Sequence, residues 1–338
     1  MEQSTLKQLL TEYEKKRMLA VHEAKERKKE IYEKAPRLQE IDDALTKEAI
    51  QTSKLMLSQN NPNLVKSLEK NIAKYKEEKE KILSSLGKSS ADLKPKYECD
   101  ICHDTGYVTD GYHSTMCNCL KQKIYNIEYN KSNISNLENQ NFKNFLSTYY
   151  SEDVDEEKYH SSISPRKNIE NIKKIAYHFI ENFDDPNENN LLFSGNTGLG
   201  KTFLSSCIAN ELLKKGKTVL YQTAPVMLDT IIDYRFGKKE VPKNIYDNIL
   251  HVDLLIIDDL GTESMNSMKF TELFNIINSR LLNPNHKVTK TIISTNLSLQ
   301  NLYNNYDERI VSRIVGNYNV CYFYGDDIRF QKKFSNRK

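Results

Sequence analysis

The chain has 338 residues, of which 38% are hydrophobic and 28% charged, and its formal net charge is +3. At roughly 100–200 residues per domain, this length predicts two or three domains. The small net charge excludes a strongly basic nucleic-acid-binding protein, so any such contact depends on local patches. No apolar stretch approaches the roughly 18 residues of a membrane span, and the N-terminus lacks an apolar secretory region. We therefore expect a cytoplasmic protein without membrane contact.

Residues 1–90 carry apolar side chains at helical spacing in three sections. Pro36 separates the first two sections, and Asn61 followed by Pro62 suits the start of a third helix. The pattern predicts a small helical bundle with solvated charged faces. A helical region that uses one face to bind a partner protein fits the same pattern, and the sequence does not separate these two interpretations.

Residues 91–125 contain two close cysteine pairs joined by a turn-rich loop: Cys99 with Cys102, and Cys117 with Cys119. Four thiolates suit tetrahedral Zn²⁺, which would also supply the folding energy that so short a segment lacks. With four protein ligands the predicted site has no open position, so we expect a structural role. Substitution of a ligand by His103 or His113, and two redox or disulfide pairs, are the alternatives. Cys207 and Cys321 are expected to be buried packing residues.

Residues 126–163 are rich in Asn, Tyr and Ser, and we interpret them as a linker. From residue 164 to 338, short apolar segments alternate with helical patterns, which predicts a parallel sheet covered by helices on both faces. Strands are expected at 191–194, 218–222, 252–258 and 291–295, with helices at 201–215, near 225–235 and at 267–282.

Residues 195–202 match G-x-x-x-x-G-K-[ST] at every fixed position, between a predicted strand and a predicted helix. Such a loop wraps a polyphosphate with its backbone N–H groups, and the helix N-terminus adds a partial positive charge. We expect Lys201 to reach the β- and γ-phosphates and Thr202 to bind Mg²⁺. The rest of the loop is expected to contact the nucleotide: Gly195, Asn196, Thr197, Gly198, Leu199 and Gly200.

A second motif consists of a buried apolar strand that ends in Asp258 and Asp259. Carboxylates at the C-terminal end of such a strand lie where open α/β sheets bind ligands. We expect Asp258 to hold Mg²⁺ and Asp259 to orient or deprotonate an attacking water. Two solvated turn acids before Gly261 are the alternative. Together the two motifs predict a nucleoside-triphosphate site.

The spacing of these motifs resembles that of AAA+ ATPases, in which a polar residue at the next strand end senses the γ-phosphate. The resemblance gives this role to Asn296, which could also cap a following helix. It implies an arginine finger for a neighbouring subunit at Arg313, with Arg309 as the less favoured choice and a helix-surface arginine as the alternative. Arg329 resembles the second sensor, an arginine near the phosphates of its own subunit.

With these residues, the chain resembles the DnaC/DnaI family of replicative helicase loaders, through GNTGLGKT, LLIIDD, ISTN, ERIVSR and DDIR. The cysteine module looks like that of the Gram-positive loaders. The implied architecture is an α/β AAA+ P-loop domain (164–338) preceded by a helical partner-binding region and a zinc module. The implied function is ATP-dependent loading of the hexameric helicase onto single-stranded DNA. The resemblance also implies a weak ATPase that acts as a molecular switch and assembles with copies of itself. Asp259 departs from the glutamate of many AAA+ proteins, which puts strong turnover in doubt.

The segment Tyr234-Arg235-Phe236 interleaves aromatic and basic side chains, the combination that stacks bases and neutralises phosphates. A helix end with solvated basic residues is the alternative. Two other functions also remain open. One is a transposition-helper ATPase, against which the cysteine module argues. The other is a zinc- and ATP-binding adaptor without significant hydrolysis, against which the complete set of nucleotide-site residues argues.

Overall fold

The computed structural model describes residues 3–58, 62–128, 139–238, 244–264, 266–282 and 287–335. Contacts divide the chain into two compact units, Gln3–Cys117 and Asn118–Lys338. Within the described ranges, no helix combines the length and the apolar character needed to cross a membrane.

The first unit is helical and ends in a short antiparallel hairpin. Its main elements are α1 (Gln3–Lys34), α2 (Arg37–Ser58), α3 (Pro62–Ser85), β1 (Tyr107–Thr109) and β2 (Ser114–Met116), with a 3-10 turn at Ser90–Leu93. The three helices predicted from the apolar spacing are confirmed. The first break lies at Pro36 and the third helix begins at Pro62, whereas Asn61 lies outside the described residues.

A half-buried carboxylate joins the three helices of the first unit. Asp42 on α2 accepts a hydrogen bond from Tyr32 and pairs with Lys79 on α3 and, at 3.0 Å, with Lys28 on α1. Burial of Asp42 opposes its ionisation, but the hydrogen bonds from Lys79, Tyr32 and Lys28 prevail and lower its pKa to about 2. The charged form of Asp42 therefore stabilises the packing of these helices.

The second unit has a five-stranded parallel sheet between helices. The strands are β3 (Asn190–Gly195), β4 (Val219–Thr223), β5 (Leu254–Leu260), β6 (Lys290–Thr295) and β7 (Tyr318–Phe323), in the order β4-β5-β6-β3-β7. The helices are α4 (Asn118–Glu128), α5 (Glu156–Tyr159), α6 (Pro165–Glu181), α7 (Lys201–Lys214), α8 (Ala224–Arg235), α9 (Ile245–His251), α10 (Ser267–Leu282), α11 (Leu299–Asn305), α12 (Glu308–Asn317) and α13 (Ile328–Ser335), with a 3-10 turn at Ser147–Tyr149.

Each face of this sheet contributes to its own apolar core, because successive side chains of a strand point to opposite faces. Leu255 and Ile257 of β5 belong to one core, and Leu254 and Ile256 belong to the other. The predicted α/β fold with a doubly covered parallel sheet is thus confirmed. The sequence analysis missed β7, which reads YNVCYF and exposes part of its side chains at the sheet edge, so it lacks the continuous apolar run of a central strand.

Side-chain amides cover backbone groups at both edges of the sheet. The Gln122 amide on α4 accepts from the N–H of Val219 at 2.7 Å and donates to its carbonyl at 2.9 Å. On the opposite edge, Asn168 of α6 donates to the carbonyl of Tyr322 at 2.7 Å. Uncovered edge strands invite pairing with other chains, and these amides occupy positions that such a strand would use.

Candidate functional site

The P-loop connects β3 to α7 at the C-terminal end of the sheet, and its glycines permit two close approaches. Gly195 has φ = 148°, and a Cβ atom there would lie 2.1 Å from the carbonyl oxygen of Phe323 on β7. Gly198 has φ = 76°, and a Cβ atom there would lie 2.1 Å from the Asp327 carboxylate. A side chain at Gly195 would collide with backbone, whereas at Gly198 the Asp327 side chain could move and the left-handed φ is what favours glycine.

Lys201 begins α7 and turns its ammonium group back into the loop. Its Nζ donates to the carbonyls of Gly195 at 2.6 Å and Asn196 at 2.7 Å, and to Oδ1 of Asn296 at 2.8 Å. The structure thus brings together two residues that are 95 positions apart in sequence. Both were assigned to phosphate contacts in the sequence analysis.

Burial shifts the pKa values of the charged groups in this site. It lowers the pKa of Lys201 to about 8, although the negative charges of Asp259 and Asp258 act in the opposite direction. Burial also raises the pKa of Asp259, and the charge of Asp258 adds to this effect against the attraction of Lys201 and Arg329. Oppositely charged groups therefore share a poorly solvated space, a property that clusters at functional sites.

Asp258 is almost fully buried and is surrounded by hydrogen-bond donors. Its carboxylate accepts from Oη of Tyr221 at 2.8 Å, from Oγ of Ser294, from N of Asp259 at 3.2 Å and from Oγ1 of Thr202 at 3.4 Å. The contact with Thr202 fits the prediction that these two residues share a magnesium ion. Sequence reasoning missed Tyr221 and Ser294, whose positions inside apolar strands resemble ordinary core positions.

Asp259 follows in a left-handed backbone conformation with φ = 56°. Aspartate is one of the few residues that visit this region, and the turn is closed by Thr262, which donates to the Asp259 carbonyl through N at 3.3 Å and Oγ1 at 2.8 Å. The side chain lines the same cavity as Asn296 and Arg329. The shorter acid noted in the sequence analysis therefore suits the backbone conformation at this position.

A cavity of about 270 Å³ opens beside the P-loop. Its polar lining includes Lys201, Thr202, Asp259, Asn296 and Arg329, and its apolar lining includes Phe145, Tyr149 and Ile328. It therefore combines charged and polar side chains with aromatic and aliphatic ones, as a nucleotide requires.

Part of this lining comes from residues 139–150, which were assigned to the linker. Oη of Tyr150 donates to the carbonyl of Leu199 in the P-loop at 2.7 Å, and the ring of Phe145 packs 5.7 Å from that of Phe203. Burial raises the pKa of Tyr150, so its hydroxyl remains a donor. A cluster of aromatic residues in a polar segment was the available signal for this packing, and the sequence analysis did not use it.

Arg313 and Arg309 lie on α12, packed against α10, and neither is among the described residues that line the cavity. Arg309 forms a bidentate ion pair with Asp307, with both N–O distances at 2.9 Å. Nε of Arg313 donates instead to the neutral amide of Asn278 at 2.6 Å, and its guanidinium lies 4.6 Å from the ring centroid of Phe274. The charge of Arg309 is therefore matched by a carboxylate, whereas Arg313 contacts neutral groups among the described residues.

The four cysteines predicted to bind zinc lie together, with all Sγ atoms within 4.8 Å of one another: Cys99, Cys102, Cys117 and Cys119. The Cys99 and Cys117 sulfurs are 3.9 Å apart, and none of these four cysteines forms a disulfide. A tetrahedron with Zn–S bonds of about 2.3 Å has edges of about 3.8 Å. The cluster thus fits a zinc ion, with Cys99, Cys102, Cys117 and Cys119 as the residues that would hold it.

Backbone geometry supports this cluster without a histidine ligand. The Asp104 carboxylate accepts from the N–H groups of Glu98 and Cys99, both at 3.0 Å, and the turn passes through left-handed conformations at His103 (φ = 49°) and Asp104 (φ = 56°). The ring of His103 packs 5.1 Å from that of Tyr97. The remaining cysteines, Cys207 and Cys321, are buried as predicted.

Part of the segment predicted to contact DNA, Tyr234-Arg235-Phe236, makes contacts within the protein. Arg235 forms an ion pair with Glu272 at 2.9 Å and lies 4.8 Å from the ring of Tyr246, while Tyr234 packs against the core. Phe236 is 68% exposed. Of the three residues singled out, Phe236 alone offers an exposed aromatic ring, and DNA contact here stays a prediction.

Residues 142–335 match the profile of the IstB-like ATP binding proteins, which is more than half of the chain. The chain belongs to the IstB-like ATP binding protein family. The match includes the P-loop, both aspartates, Asn296, both arginines of α12 and Arg329. It also begins inside the segment 139–150, in agreement with the packing of that segment on the P-loop.

Curated relatives include the replicative helicase loader DnaC of Escherichia coli K12, which is 28% identical over 160 residues. That alignment covers 47% of this chain and 63% of the relative, so the chain spans less than two thirds of that protein. The uncharacterized protein YdaV of the same strain is 32% identical over 114 residues, covering 31% of this chain and 45% of the relative.

Solved structures with a similar fold include AMPPCP-bound DnaA from Aquifex aeolicus, with a TM-score of 0.44 and 22% identity over 59% of this chain and 55% of that chain. The crystal structure of DnaI has a TM-score of 0.40 and 25% identity over 52% of this chain and 88% of that chain.

Proposed function

We propose that this protein is an ATP-dependent loader of the hexameric replicative DNA helicase onto single-stranded DNA, in which ATP binding and weak hydrolysis switch assembly with the helicase. The observation that carries the proposal is the similarity to curated relatives named as replicative helicase loaders. The four-cysteine cluster is the further feature that favours a loader over a transposition helper.

The cavity beside the P-loop supports ATP as the ligand. Its apolar lining, with Phe145 and Ile328, suits a purine base, and its charged side chains suit a polyphosphate. Lys201 would exchange its present contacts with Gly195 and Asn196 for phosphate oxygens, since an ammonium group gains more from anionic oxygens than from carbonyls.

Thr202 and Asp258 would hold a magnesium ion through their hydroxyl and carboxylate oxygens, the kind of ligand that this cation prefers. When bound, the ion would neutralise charge that develops on the β- and γ-phosphates. Asp259 would orient the attacking water and accept its proton, a role for which its raised pKa is suited. Asn296, which contacts Lys201, would report on the γ-phosphate.

Arg313 is the better of the two arginines for a role in a neighbouring subunit. A guanidinium stabilises a phosphoryl group through its net charge, and Asp307 already balances the charge of Arg309. Asn278 holds Arg313 through a hydrogen bond without neutralising it. We therefore propose a homo-oligomer in which Arg313 completes the site of the adjacent copy, while Arg329 serves its own site.

The test combines the protein with the replicative helicase of its host and measures complex masses by mass photometry with ATP, with ADP and without nucleotide. We expect a complex that depends on ATP and that Arg313→Ala weakens, because the guanidinium would contact the phosphates bound to the adjacent copy. The ATPase rate of the assembly should fall further, since one transition-state arginine contributes roughly 10³–10⁵ in rate. Arg309→Ala is the matched control, one helical turn away, and is expected to change assembly less than twofold. Equal effects of the two variants would contradict the assignment of Arg313.

The family description favours one second candidate, a transposition-helper ATPase. The same measurement separates the two functions, because a transposition helper has no reason to bind the replicative helicase. An adaptor that uses ATP only as a structural ligand predicts that Lys201→Ala leaves partner binding unchanged. A helicase complex that is lost in Lys201→Ala would exclude the adaptor.

A further inference from the structure

The carboxylate of Asp258 is buried, yet its nearest partners are neutral. It is 3% exposed and accepts hydrogen bonds from two hydroxyl groups on the flanking strands, Tyr221 on β4 and Ser294 on β6. A buried carboxylate is held in one orientation when hydrogen-bond donors replace its lost hydration. These two hydroxyls supply that replacement from both neighbours of β5 in the sheet.

The donors to Asp258 are divided unequally between its two carboxylate oxygens. Tyr221 binds Oδ2, whereas Ser294 and the N–H of Asp259 bind Oδ1. Each oxygen has about two lone-pair positions, so these three donors occupy both positions of Oδ1 and one of Oδ2. Thr202, the residue that would share the cation, makes the longest contact of the set, 3.4 Å from Oδ1.

Tyr221 is suited to a fixed donor role. Its side chain is 1% exposed within the apolar core, and its Oη donates a hydrogen bond to Oδ2 of Asp258 at 2.8 Å. The parallel register, which pairs Tyr221 with Ile256 and Thr223 with Asp258, holds the ring beside the carboxylate.

Ser294 connects the two acids of the motif. Its Oγ donates to Asp258 and accepts from the backbone N–H of Asp259 at 3.2 Å. Ser294 therefore contacts the side chain of Asp258 and the backbone of Asp259, which has a left-handed conformation.

We propose that Tyr221 and Ser294 are positioning residues that hold Asp258 for the divalent cation of the bound nucleotide. The inference rests on the proposed ATP function. It adds two residues that are not among the described residues lining the cavity. Partners of this kind orient a ligating carboxylate, and their loss typically costs 10–100-fold in metal affinity or activity.

The test is calorimetric titration of the full-length protein with ATP, in EDTA and at increasing free Mg²⁺. Tyr221→Phe removes one hydroxyl without changing the ring, and we expect the half-saturating Mg²⁺ concentration to rise about tenfold. The affinity for ATP in EDTA should change less than twofold, because the P-loop contacts are intact. Ser294→Ala should shift the Mg²⁺ requirement in the same direction.

Tyr318→Phe on β7 is the matched control, because it also removes a buried tyrosine hydroxyl, and its Mg²⁺ requirement should equal that of the wild type. An unchanged Mg²⁺ requirement in Tyr221→Phe, or an equal loss of ATP affinity in EDTA and in Mg²⁺, would overturn the inference. If the wild type binds no ATP in either condition, the proposed function fails, and the inference fails with it.

Discussion

Proton uptake on nucleotide binding is the most direct consequence of the buried Lys201. The pKa of Lys201 is about 8, so this side chain is about half protonated at pH 8 and about 3% protonated at pH 9.5. A bound polyphosphate favours the charged form and raises the pKa again, so the complex takes up protons and binding weakens as pH rises.

The magnitude follows from the fraction of Lys201 that is charged before binding. Between pH 7.5 and 9.5 the affinity for ATP should fall about twentyfold, or about 2 kcal/mol. At pH 8, about 0.5 proton should be taken up for each ATP bound. Calorimetry in buffers of different ionisation enthalpy measures the proton count, and the same titrations give the affinity.

Lys201→Arg is the control, because a guanidinium stays protonated over this whole pH range. The comparison between wild type and Lys201→Arg concerns how the affinity for ATP changes with pH, rather than the affinity at any one pH. The terminal phosphate has its last ionisation near pH 6, so it contributes little above pH 7.5 and equally in both proteins. An affinity for the wild type that is flat from pH 7.5 to 9.5, or a slope that persists in Lys201→Arg, would refute this reasoning.

Three further predictions concern the rest of the chain. Cys99→Ser should reduce bound zinc from about one equivalent to near none by native mass spectrometry; retained zinc would contradict the cluster. Asp42, whose pKa is lowered, should add at most about 2 kcal/mol to the free energy of unfolding above pH 4, and this contribution should be lost as the pH falls to 2. In Asp42→Asn the free energy of unfolding should therefore fall less between pH 4 and pH 2. A pH dependence equal to that of the wild type would contradict the ion cluster. Arg280 donates from a buried position to five backbone carbonyls, so Arg280→Met should lower the free energy of unfolding by about 4 kcal/mol in urea titrations; a loss below 1 kcal/mol would show that water replaces those bonds.

Local patterns in the sequence determined the elements and the chemistry that sits on them. The apolar run before Asp258 predicted a buried strand, and the glycine-rich loop before Lys201 predicted a phosphate site, because both signals lie within a few consecutive residues. The spacing of Cys99, Cys102, Cys117 and Cys119 likewise indicated one cluster, since short loops bring close pairs together. In each case the geometry of the motif depends on residues that are close together in sequence.

Only the tertiary structure decided which distant side chains complete the site. Tyr221 and Ser294 reach Asp258 because β4 and β6 flank β5, an order that no local pattern encodes. The segment that carries Phe145 and Tyr150 packs against the P-loop, although its polar composition had indicated a linker. The physical reason is that such partners are selected by strand order and packing, which depend on the whole chain, whereas residue periodicity reports only on the face that a local element buries.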